Sequence, residues 1–129
     1  MLKKVKHVGI AVKSIDATMA EWSKKFGAVE VRPRKTFAEI GQTSTLIEIG
    51  ETRFELMEPY GEQESTISKF LERSGEGFHH LSWLCDDVNK TAQELADAGV
   101  KVLGAGNPVI FTHPKTTGGL VFEITEEED

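Results

Sequence analysis

The sequence predicts an α+β fold of two tandem βαβββ repeats, with two curved, antiparallel-rich sheets and a helix packed outside each. Three observations predict it. Residues 5–12 (VKHVGIAV) read as a strand, followed by an apolar stripe at Ile15, Met19, Trp22 and Phe26, spaced for one helix face. Moving 73 positions along gives the strand 78–85 (FHHLSWLC) and the stripe Val88, Ala92, Leu95, ending on Gly99, a helix-stopping residue. Later in each half the match returns at a shift of 68, where Phe54-Glu55-Leu56-Met57-Glu58 meets Phe122-Glu123-Ile124-Thr125-Glu126, F-E-aliphatic-x-E in both. The same order in both halves argues for duplication.

The remaining elements fill in the two units. Residues 28–34, 43–49 and 53–58 are strands of the first repeat; 100–103, 108–112 and 119–125 are strands of the second. Between them, 59–77 places Ile67, Phe70 and Leu71 at helical spacing between glycine-bearing loops, which reads as a short linking helix. The expectation is a single domain over 1–129, with repeat one at about 5–58, a linker at about 59–77 and repeat two at about 78–126. The acidic tail 126–129 is expected to fray, with no role beyond solubility.

Composition narrows the function classes. The chain is 39% hydrophobic and 28% charged, ordinary for a globular protein, and carries a net charge of −6. An acidic balance argues against nucleic-acid or anionic-membrane binding, which needs a basic face. A few local Lys or Arg residues still suffice for a small anion. The one cysteine, Cys85, lies among Trp83, Leu84 and Val88 and reads as a buried strand residue, not a reactive thiol. Met1-Leu-Lys-Lys-Val runs straight into a strand, so neither a signal peptide nor a membrane span is expected, and the cytoplasm is.

The repeat also carries chemistry. The shift of 73 takes His7 onto His80, and the shift of 68 takes Glu55 onto Glu123. Units related by a pseudo-twofold axis bring equivalent positions together, so two imidazoles and two carboxylates converge on one site. That donor set suits Co, Ni, Zn, Mn or Fe, and six-coordination leaves two positions for water or substrate oxygens. Strand parity puts His80 on the face of Ser82, into a polar cavity, and His79 on the face of Leu81 and Trp83 as a structural residue. A glutamate on the wet side of a half-exposed strand gives the same local pattern. The matched quartet, not any one residue, favours ligation.

With these residues in place the chain resembles the vicinal oxygen chelate (glyoxalase/bleomycin resistance) superfamily over nearly its whole length. Within it, three stretches are most similar to the methylmalonyl-CoA epimerases. These are His7-Val8-Gly9-Ile10-Ala11-Val12, the run from Glu58-Pro59-Tyr60-Gly61 to Gly75-Glu76-Gly77-Phe78-His79-His80, and His113-Pro114-Lys115-Thr116-Thr117-Gly118-Gly119. The resemblance implies His7, His80 and Glu123 as metal ligands, with Glu55 where the epimerases commonly have Gln and glyoxalase I has Glu. It implies Glu39, in Glu39-Ile40-Gly41, as the base that removes the proton between a carboxylate and a thioester carbonyl. The second acid–base group is Glu48 or a ligand carboxylate such as Glu123. Lys115, Gly118 and Gly119 either hold the anionic parts of an acyl-CoA thioester or form an ordinary surface turn. The stretch 102–108 is shorter than the epimerase pattern and lacks its basic residue. A homodimer is expected from the resemblance alone.

Two other functions fit the same scaffold. Glu55 favours a glyoxalase I type lyase. A non-catalytic small-molecule-binding protein is disfavoured because all four metal candidates are present. Gly104-Ala105-Gly106 lacks the third glycine and the helix of a dinucleotide site.

Overall fold

Each repeat starts its helix in the same way. Ser14 accepts a hydrogen bond from the Ala17 N–H, and Asp87, 73 positions on, accepts one from Lys90 N–H at 2.9 Å. These caps open α1 (Ile15–Phe26) and α3 (Val88–Asp97). A second carboxylate completes each helix start. The last glutamate of F-E-aliphatic-x-E accepts the first helical N–H, Ile15 to Glu58 at 2.6 Å and Val88 to Glu126 at 2.8 Å. Such N–H groups have no partner inside the helix, and a negative charge there also opposes the helix dipole. The repeated motif thus fastens the last strand of each unit to its own helix.

The computed structural model describes all residues, Met1–Asp129, as a mixed α+β fold of eight strands and three α-helices. The order is β1 (Leu2–Ala11), α1, β2 (Val29–Phe37), β3 (Gln42–Ile49), β4 (Thr52–Pro59), α2 (Thr66–Ser74), β5 (Gly77–Cys85), α3, β6 (Val102–Leu103), β7 (Val109–Thr112) and β8 (Phe122–Thr125). This is βαβββ twice, with α2 as the linking helix. The chain forms two compact units, one of Gly9–His79 and one of Met1–Val8 with His80–Asp129.

In the unit Gly9–His79, β2, β3 and β4 form an antiparallel meander, with Glu48 opposite Arg53 and Leu46 opposite Glu55. β2 is exposed along its length, and its register shifts twice between Glu30 and Lys35, around Pro33. A proline that cannot donate to a ladder belongs at such an irregular strand. The linking helix is capped by Ser65 and Ser68 reciprocally. It lays Ile67, Phe70 and Leu71 against Ala11 and Met57, the stripe expected from the sequence.

In the other unit β8 pairs parallel with β5 and antiparallel with β7, which pairs with β6. Cys85, Val88, Ala92, Ile110 and Ile124 make its core. Burial, with the Glu126 charge adding to it, pushes the Cys85 thiol up, away from the thiolate form. β6 has two residues where four were expected. The Lys101 N–H is taken instead by Thr116 Oγ1 at 3.0 Å, and the Lys101 carbonyl by His113 N–H at 2.8 Å. β8 starts at Phe122 because Gly118 and Gly119 adopt φ of 65° and 91°, closing a turn back to the Pro114 carbonyl.

The acidic tail is not frayed. Besides Glu126 on α3, Lys4 holds Glu128 at 3.0 Å, and Lys6 holds the Glu127 carbonyl at 2.8 Å and Asp129 at 3.4 Å. Alternate lysines of β1 reach it because strand side chains two apart share a face. No helix is long and apolar enough to cross a membrane.

The paired helix ties predict a specific stability pattern. Glu58→Ala and Glu126→Ala should each cost about 1 kcal/mol, read as a lower urea midpoint at unchanged slope. Glu62→Ala, on an exposed loop, should cost nothing measurable. An unshifted midpoint in Glu58→Ala would remove the tie from the account.

Candidate metal centre

His7, His80 and Glu123 come together in the unit of Met1–Val8 and His80–Asp129, with one donor atom from each within 4.8 Å of the others. Alternation along β5 buries His80 and Ser82 on one face, at 8% and 0% exposure. The parallel register sets Ser82 beside Glu123, whose Oε1 accepts the Ser82 hydroxyl at 2.8 Å. His7, on β1 and 5% exposed, points Nε2 at His80 Nε2 (3.4 Å) and at Glu123 Oε1 (3.9 Å). The rings meet edge to face at 77°.

Behind His7 lies Asp129, whose two carboxylate oxygens stand 2.9 and 2.8 Å from Nδ1. Burial raises the Asp129 pKa, but the hydrogen bond from His7, with the charges of His7 and Lys6, overrides it and brings it to about 2. An ionised carboxylate only accepts, so the hydrogen of this contact sits on His7 Nδ1. Two nitrogens bound to one ion at about 2.0–2.1 Å lie about 3–3.4 Å apart, so the imidazole spacing fits a shared cation. Two imidazoles and a carboxylate are a donor set for a borderline divalent ion. These residues fit the group.

The other sequence candidates fall as follows. Glu55 is half-buried on β4, in the unit Gly9–His79, opposite Leu46. Glu39 is exposed in the short turn Ala38–Ile40, ahead of Gly41. Gly41 has φ of 64°, and a Cβ there would lie 3.1 Å from Ser65 and 3.3 Å from the Tyr60 carbonyl, so the turn is built around glycine. Glu48 pairs with Arg53 at 3.0 Å on the sheet surface, where both side chains are partly exposed. Lys115, Gly118 and Gly119 are exposed in the turn after β7, where the Lys115 N–H is held by His113 Nδ1. His79 stacks edge-on to Phe70 at 5.0 Å, the structural role expected of it. Sequence reasoning missed Asp129 as a neighbour of the donors. It noted Ser82 only as a face marker.

The family model described as glyoxalase/bleomycin resistance protein/dioxygenase superfamily matches residues 6–114. The chain belongs to that superfamily. Among curated members it is 33% identical to the ethylmalonyl-CoA/methylmalonyl-CoA epimerase of Cereibacter sphaeroides, covering 98% of this chain and 99% of that one. It is 31% identical to the human mitochondrial methylmalonyl-CoA epimerase, over 97% of this chain and 74% of that one. Among solved structures, a methylmalonyl-CoA epimerase variant from Streptomyces coelicolor in complex with 2-nitronate-propionyl-CoA superposes with a TM-score of 0.84. It is 28% identical and covers 96% of both chains. The superfamily relationship accounts for the tandem βαβββ units.

The donor geometry makes a direct prediction. Metal-free protein titrated with Co²⁺ should take up about one equivalent, and EDTA should remove it. His80→Ala or Glu123→Ala should weaken uptake by more than the roughly 10–100-fold typical of losing an outer-shell partner. Full uptake at unchanged affinity in Glu123→Ala would show that the trio is not the site.

Proposed function

We propose that this chain is a metal-dependent methylmalonyl-CoA epimerase, interconverting the 2R and 2S forms by removing and returning the C2 proton. The observation that supports it most is the buried His7–His80–Glu123 trio, in a chain alike along nearly its whole length to proteins of that name. His7, His80 and Glu123, with Glu55, would hold a divalent ion such as Co, Ni, Zn or Mn. Such an ion supplies positive charge where negative charge develops on the carboxylate and thioester oxygens.

The protein's own groups do the rest. Glu39 takes the C2 proton; its exposed carboxylate stands on a glycine-fixed turn, open to a substrate arriving from solvent. Glu123 is the acid–base candidate for the opposite face, since Glu48 is engaged by Arg53. Lys115 and the positive-φ turn at Gly118 and Gly119 hold the anionic parts of the acyl-CoA. The same reading has the enzyme acting in the cytoplasm, as a homodimer.

Glu55 favours a second reading, a glyoxalase I type lyase acting on the methylglyoxal–glutathione hemithioacetal. Both reactions move a proton beside a chelated oxygen pair, so the substrate must decide. The stretches ending in His80 and spanning 113–119 weigh more than one ligand, because glutamate binds the same ions that an epimerase uses. At equal metal occupancy, with Co and Ni both tried, kcat/KM for methylmalonyl-CoA should exceed that for the hemithioacetal. The opposite preference would sink the epimerase reading.

The base has its own test. Glu39→Gln should keep metal uptake while turnover falls about a hundredfold or more. Solvent deuterium should enter C2 readily with the wild type and far more slowly with the variant. Equal exchange rates would clear Glu39 of the role.

A further inference from the structure

Asp129 stands outside the duplication. A shift of 68 carries it back onto Gly61, which has no side chain, so the first repeat offers nothing equivalent. Its position is nonetheless defined. The carboxylate is 7% exposed, lies within 2.9 Å of His7 Nδ1 through both oxygens, and is flanked by the 6%-exposed Lys6 ammonium at 3.4 Å. The two preceding residues are tied to β1 by Lys4 and Lys6. A chance surface contact would not be buried and held by two side chains.

A neutral imidazole carries its proton on one nitrogen or the other, and only the bare nitrogen can bind a metal. Left to itself in water, a histidine has nothing to fix that choice or the ring angle. A carboxylate on Nδ1 fixes both, and makes Nε2 a better donor.

We infer that Asp129 is a positioning residue for His7, locking the Nδ1–H tautomer and aiming Nε2 at His80 and Glu123. The metal part of this rests on reading the trio as a metal site; the tautomer part does not. In this arrangement the tail of the second repeat sets up the ligand contributed by the first strand. The Lys6 ammonium, 3.4 Å away, flanks the same carboxylate.

The test starts with metal-free protein. Long-range ¹H–¹⁵N correlation spectra of the imidazoles at a pH where His7 is neutral should show Nδ1–H for His7 in the wild type. In Asp129→Ala that signature should give way to Nε2–H or a mixture. Asp129→Asn, which keeps an acceptor oxygen, should retain most of the wild-type pattern. Co²⁺ affinity, measured by competition with a chromophoric chelator, should fall roughly 10–100-fold in Asp129→Ala and less in Asp129→Asn. Glu128→Ala, which loosens the same tail at the exposed Lys4 pair, should leave tautomer and affinity unchanged. An unaltered His7 tautomer in Asp129→Ala would overturn the inference. So would an affinity loss equal in Glu128→Ala, which would make the tail a mere fastening. If the wild type bound no metal, the reading of the trio would fall, while the tautomer spectra would still decide the role of Asp129.

Discussion

The parallel ladder between β5 and β8 runs Leu81 to Phe122, Ser82 to Glu123 and Trp83 to Ile124, and the candidate site depends on that register. Side chains alternate, so His80, Ser82 and Glu123 stand on one side while Trp83 packs on Phe122 on the other. A slip of one residue would turn Glu123 into the apolar cluster and present Ile124 to the imidazoles. The slip is opposed by Ile110 and Ile124, both fully buried, whose apolar area has no other place to go. The Glu123 carboxylate is thus aimed by hydrophobic packing on the far side of its own strand.

The second constraint is the tie from each last strand to its helix. In the second repeat the two glutamates of F-E-aliphatic-x-E do different work: Glu123 stands among the donors, and Glu126 holds a helix N-terminus. Glu58 and Glu126 do this in the same way although 43 and 38 residues separate them from their partners. A strand fixed at its end to a packed helix cannot slide, so the tie guards the register that places Glu123 three residues earlier.

The repeat, the helices and the quartet His7, Glu55, His80 and Glu123, of which the first, third and fourth cluster, were readable because apolar periodicity and matched spacing are local signals. His80 rather than His79 followed from the shift of 73 that carries His7 onto it, together with strand parity. What escaped was everything depending on partners far along the chain. Glu126 and Asp129 sit in a run of acids that by composition is indistinguishable from a solvated tail; only the fold shows that Val88 N–H and His7 Nδ1 await them. The expected strands 100–103 and 119–125 were too long for a similar reason. The turn 113–119 takes over the backbone groups of Lys101, and glycine φ values end β8 early. Glu39 was legible as a motif, not as a place: its exposed turn is defined by Gly41 against Tyr60 and Ser65.

The two halves keep alike what makes the fold and differ in what surrounds the donors. Ser14 and Asp87 match, as do Glu58 and Glu126, His7 and His80. Ser82 instead answers to Gly9, and Asp129 to Gly61, so the hydroxyl on Glu123 and the carboxylate on His7 belong to one half only. The charges around the imidazoles follow from this asymmetry. Glu123 and Asp129 bring two carboxylates beside the imidazoles, and the Lys6 ammonium stands 3.4 Å from Asp129.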